Sequence, residues 1–152
     1  MKPSTACFIA GASAGPIIVS TLYSAGVAYY YSTPGYFGFI VFYLPMFVVF
    51  SFAPFGIVAM SAAKFVSQDL VPSILLRVFL RIALGTIGGL CVALILCTVF
   101  SPGGGLAEIF SLRKPASEWL PFMPRLGTTI ASSLTGILLC LSLPLIFGKR
   151  DL

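Results

Sequence analysis

The sequence contains no histidine and few acids. Its 152 residues include four Asp or Glu and nine Lys or Arg. The absence of histidine excludes His-ligated haem and the usual histidine metal sites. The four carboxylates are far apart along the chain, so no pair suited to general acid–base catalysis is evident; they are Asp69, Glu108, Glu118 and Asp151. We therefore expect no enzyme activity, no metal site and no cofactor.

Charge is also missing from long stretches of the chain. Residues 3–63, 82–107 and 126–148 carry no charged side chain, and the charged fraction is 9%. A hydrocarbon core about 30 Å thick needs roughly 20 apolar residues in a helix, so the first stretch is long enough for two crossings and each of the others for one. We expect an integral membrane protein whose 152 residues form a single membrane domain. A proton- or sodium-coupled carrier would need an intramembrane acid, and none is present in these stretches.

The four cysteines do not form a recognisable motif. Cys7, Cys91, Cys97 and Cys140 share no close spacing, and none lies in an evident aqueous loop. They are interpreted as small buried hydrophobic residues.

The apolar stretches predict four transmembrane helices in an antiparallel all-α bundle, at about 7–31, 37–62, 73–100 and 126–147. The first apolar run continues to Tyr31, which indicates an uncleaved span rather than a signal peptide. Pro34 and Gly35 predict a tight turn after it, with Gly35 able to adopt positive φ. Pro45 and Pro54 predict that the second span is kinked or broken.

The basic residues are asymmetric across the membrane. Six lie on the side that holds both termini and three on the other, which favours cytoplasmic termini in a plasma or bacterial inner membrane. Because these cations are scattered between apolar spans, they indicate topology and not a nucleic-acid partner. The bilayer itself is the first expected partner.

Small residues recur at helical spacing. Gly11 and Gly15 in span 1, and Gly85 and Gly89 with Gly88 in span 3, match a pattern that lets helix backbones approach closely. Such contacts serve packing within the bundle or an interface to another subunit. In span 4, Thr129 and Ser133 share a face, where their hydroxyls would form hydrogen bonds to a neighbouring helix or line a polar path. The predicted packing or partner residues are Gly11, Gly15, Gly85, Gly88, Gly89, Thr129 and Ser133.

Arg77 and Arg81 are four residues apart at the start of span 3 and share a helix face. They are predicted to reach lipid headgroups or to bind the acids of a partner. Trp119 is predicted to make a similar interfacial contact from the loop between spans 3 and 4.

That loop, residues 101–125, is the only sizeable surface outside the membrane. Its residues 106–112 have the spacing of a short helix lying on the membrane surface, with Trp119, Phe122 and Met123 anchoring beside it. Partner contact on this side is expected here.

The leading functional hypothesis is a non-catalytic small integral subunit or accessory protein of a larger membrane complex, bound to other membrane-protein subunits or to itself. Two alternatives stay open. One is a homo-oligomeric channel or small carrier for a neutral or lipid-like solute, and the other is a membrane immunity or exclusion protein.

Overall fold

Four long helices make up the structure. The computed structural model describes residues 2–67, 70–100, 109–113 and 122–147. Helix α1 spans Pro3–Tyr30, a 3-10 helix spans Pro34–Phe39, α2 spans Ile40–Phe65, α3 spans Ile74–Phe100 and α4 spans Arg125–Phe147. With the 3-10 turn counted into the second, all four are long and apolar enough to cross a membrane. The predicted all-α, four-helix membrane bundle is confirmed.

Local chemistry explains the ends of α1. The helix begins at Pro3, earlier than the predicted residue 7, because proline at the first helical position has a suitable φ and needs no N–H partner. At the other end Ser32 adopts φ 52°, and the Thr33 N–H donates to the Ala28 carbonyl at 3.0 Å. The left-handed residue of this turn is therefore Ser32 and not Gly35.

Helix α2 runs unbroken through Pro45 and Pro54. Of the two predicted outcomes, a kink or a break, the break is absent, since each proline removes one backbone donor while the remaining backbone still needs helical hydrogen bonds in lipid.

The helices associate as two hairpins. Helix α1 packs most extensively on α2, and α3 on α4, while α1–α4 and α2–α3 contacts join the pairs. Helix α2 also touches α4 across the centre, whereas the described residues of α1 and α3 do not meet. The core holds Tyr23, Tyr43, Phe47 and Phe55, all buried, with the Tyr23 ring edge-on to Tyr43 at 4.8 Å and to Phe47 at 5.4 Å.

The bundle has two distinct ends. We call the end with Pro3 and Phe147 the terminal end, and the end with the α1–α2 turn and the start of α4 the loop end.

Candidate functional site

The glycines of α1 lie against α2. A Cβ placed on Gly11 would stand 2.7 Å from the Ala59 Cβ and 2.8 Å from the Phe55 carbonyl oxygen, and one on Gly15 would stand 2.5 Å from the Phe55 ring. Gly56 of α2, which the sequence patterns did not single out, lies against Phe8 of α1: a Cβ on Gly56 would stand 2.8 Å from the Phe8 ring. The α1–α2 contact therefore uses small residues from both helices.

The glycines of α3 are divided between two neighbours. A Cβ on Gly85 would stand 2.5 Å from the Ile137 backbone nitrogen, and one on Gly89 would overlap the Ser133 backbone. Gly88 instead faces α2: a Cβ on Gly88 would stand 2.6 Å from the Val58 side chain. These glycine faces are occupied by helices of the same chain.

The hydroxyl of Thr129 joins α4 to the loop before it. Its Oγ1 donates to the Ile109 carbonyl at 2.6 Å and also lies 3.1 Å from the Arg125 carbonyl. Ser133 is half-buried, and its backbone forms the surface on which Gly89 rests. Thr135, one turn of helix beyond Ala131, donates to the Ala131 carbonyl at 2.8 Å.

The described parts of the long loop are attached to the loop end of the bundle. The backbone N–H groups of Arg125 and Leu126 donate to the carbonyls of Arg113, at 3.2 Å, and Ser111, at 3.1 Å. Because the first N–H groups of a helix have no partner inside the helix, the loop here completes the start of α4.

The residues just before α4 are held by two tyrosines of the first hairpin. The Met123 N–H donates to the Tyr23 hydroxyl oxygen at 3.2 Å, and the Tyr31 hydroxyl donates to the Phe122 carbonyl at 3.3 Å. Both loop side chains are buried, with the Phe122 ring 6.1 Å from that of Tyr43 and the Met123 sulfur against Gly26. The expectation that Phe122 and Met123 anchor at the membrane surface was therefore wrong, since apolar loop residues gain more by filling the bundle end.

Two sequence predictions fall wholly or largely outside the described residues. Trp119, with its predicted interfacial contact, lies outside the described residues. Of the surface helix predicted over 106–112, residues 106–108 lie there too, while Ile109 is buried beneath the loop end.

A small, partly open cavity lies near the loop end, with a volume of about 20 Å³. A space of this size holds about one water molecule. It is lined mainly by apolar atoms, with Arg125 and Thr128 as polar neighbours; the complete lining is Tyr23, Met46, Leu96, Cys97, Phe122, Arg125 and Thr128.

The arginines of α3 lie at the terminal end. Arg81 donates through Nη2 to the carbonyl of Val66, the residue that follows α2, at 3.1 Å, and lies within electrostatic range of Cys7 and Cys140. Arg77 lies one turn nearer the start of α3 and is also half-buried. The Nε atoms of both guanidinium groups are enclosed and have no hydrogen-bond partner among the described residues.

The first half of α3 is hardly covered by the rest of the chain. Among residues 70–84 every described side chain is at least partly exposed, and the first buried residue of α3 is Gly85. Leu75 is 80% exposed and Phe79 67%. In contrast, Val92, Ala93 and Leu96 in the second half of α3 are buried.

No family model matches the chain, and neither a curated protein nor a solved structure matches it.

Proposed function

We propose that this protein is a non-catalytic, small integral subunit or accessory protein, and that it contacts a partner membrane protein through the loop between α3 and α4. The observation that carries the proposal is the attachment of that loop at points on both sides of residues 114–121. Before this segment, the Arg113 carbonyl accepts from the Arg125 N–H, and after it the Phe122 carbonyl accepts from the Tyr31 hydroxyl. Recognition segments are commonly loops positioned by a rigid scaffold.

The chemistry of the segment supports this role. Residues 114–121 include Lys114, Glu118 and Trp119 within eight positions of an otherwise apolar chain. Tryptophan and charged groups supply anchoring and specificity at protein interfaces. The packing of the helices adds a second argument, since the glycine faces that often mediate helix association are occupied inside the bundle.

Photo-cross-linking in the source membrane tests the proposal. A photoreactive residue at Ser117 should give a discrete adduct with a different polypeptide, while the same residue at Leu138, on the exposed face of α4, should give none. The double variant Tyr31→Phe, Thr129→Val removes two attachments of the loop and should greatly reduce the adduct.

The control variant is Tyr29→Phe, Thr86→Val, which deletes the same atoms at positions outside the loop attachment. Tyr29 is 88% exposed, and the Thr86 hydroxyl donates only to Ile82 of its own helix. If Ser117 gives only an adduct of twice the chain mass, the protein associates with itself, and this result would favour the homo-oligomeric channel or carrier over the subunit proposal. Equal adducts from Ser117 and Leu138, or equal losses in both double variants, would contradict the proposal.

A further inference from the structure

The two arginines of α3 offer far more hydrogen-bond donors than the described chain uses. A guanidinium group has N–H donors on three nitrogens and no acceptor. In this pair, one Arg81 donor reaches Val66, and the Nε atoms of both side chains are enclosed without a hydrogen-bond partner among the described residues. Enclosing a cation without a compensating group is unfavourable, so the pair favours an anionic ligand.

The register between α2 and α3 places this pair at the edge of the bundle. Gly88 faces Val58 and Arg81 reaches Val66, so α2 ends near the level of Arg81. Helix α3 begins at Ile74, and its residues 74–80 therefore extend roughly 10 Å beyond the end of α2. Arg77 lies in this extension.

The surroundings of Arg77 combine positive charge with exposed apolar surface. Leu75 and Phe79, two residues before and after Arg77 and therefore on the opposite face of the helix, are largely exposed, and Val78 is 43% exposed. Lys64, in the last turn of α2, is an exposed cation at the same end. The positive N-terminus of the α3 dipole points toward this end as well.

We propose that Arg77, with Arg81 behind it, binds the phosphate of an anionic phospholipid at the terminal end of α3. An arginine fork matches phosphate oxygens in geometry and charge. The anionic class is favoured over a zwitterionic lipid because the adjacent Arg77 and Arg81 cations would repel a choline group. Basic pockets of this kind between transmembrane helices bind anionic headgroups.

The test uses the whole protein, purified in a neutral detergent. Phosphatidylglycerol, phosphatidylcholine or inorganic phosphate is added, and the melting temperature and the retained lipid are measured, the latter by native mass spectrometry. Wild type should gain thermal stability and retain lipid with phosphatidylglycerol only. Arg77→Gln should bind this lipid about tenfold more weakly, the loss expected for one charge-assisted contact.

Lys64→Gln is the matched control, since it removes one cation from the same end without touching the pair. It should keep nearly all of the wild-type response. Arg77→Lys, which keeps the charge but loses the planar fork, should give an intermediate affinity and serves as the probe if Arg77→Gln does not fold. The proposal is overturned by equal responses to the two lipids, by a full response to inorganic phosphate alone, or by an equal loss in Lys64→Gln and the Arg77 variants.

Discussion

Arg81 of α3 donates a hydrogen bond to the Val66 carbonyl, directly after the last residue of α2, at 3.1 Å. The last carbonyls of a helix have no partner inside the helix and carry its negative dipole end, so a cation is favourable there. This donor of Arg81 is therefore used within the chain. It joins the end of α2 to a part of α3 whose described side chains are all at least partly exposed.

Replacing Arg81 by methionine should therefore destabilise the bundle. Methionine keeps much of the side-chain length but has no donor, and the loss of a hydrogen bond from a charged group costs about 1.5–3 kcal/mol. Thermal unfolding in detergent without anionic lipid measures the effect. Lys64→Met, at the exposed cation in the last turn of α2, should change stability little. Equal effects of the two variants would mean that the Arg81–Val66 hydrogen bond does not stabilise the bundle.

Adding one methyl group at Gly89 should disturb the α3–α4 contact. A Cβ there overlaps the backbone of Ser133, which cannot move aside as a flexible side chain can. Gly89→Ala should lower stability by about 1–3 kcal/mol through overpacking, despite the better helix propensity of alanine. Gly38→Ala is the control, because nothing lies within 4 Å of a Cβ at Gly38. A Gly89→Ala protein as stable as Gly38→Ala would mean that the two helices are not in close contact.

Tyr23→Phe should weaken the loop end. The change leaves the aromatic core in place but removes the oxygen that accepts from the Met123 N–H. A buried donor without a partner costs about 1–3 kcal/mol, and hydrogen–deuterium exchange at Met123 should accelerate. Tyr29→Phe removes the same oxygen from an exposed ring, and it should leave stability and exchange unchanged. If Met123 exchanges at the wild-type rate in Tyr23→Phe, this hydrogen bond does not hold the loop.

Both termini are expected on the cytoplasmic side, because six basic residues oppose three. In a variant whose four native cysteines are replaced by alanine, an introduced cysteine at Thr33 should react with an impermeant thiol reagent added to whole cells. A cysteine at Gln68, in the connection between α2 and α3, should react only after the membrane is opened. The reverse pattern would invert the topology.

The sequence predicts the helices well because membrane insertion imposes one rule along the whole chain. Without water in the hydrocarbon core, an apolar stretch of sufficient length has no alternative to a helix, and the predicted third span, 73–100, differs from α3 by one residue. Prolines are weaker signals in this setting, as α2 shows by continuing through Pro45 and Pro54.

The contacts between helices are harder to predict, since they depend on which faces meet in three dimensions. The spacing of Gly85, Gly88 and Gly89 indicates close packing, but no local signal tells that Gly88 faces α2 while its two neighbours face α4. Similarly, the apolar character of Phe122 fits a membrane surface as well as the bundle interior. The packing of Phe122 against the Tyr43 ring places it in the interior, and this contact joins residues far apart in the sequence.

The hydroxyl groups within the spans have a consequence for biosynthesis. Most of those with a hydrogen bond donate to a carbonyl three or four residues earlier in the same helix, as Ser24 does to Ser20 and Thr135 to Ala131. Each of these groups is thus satisfied before its helix meets any other. These hydroxyls therefore leave no unsatisfied donor in lipid if a span leaves the translocon before its neighbours are synthesised.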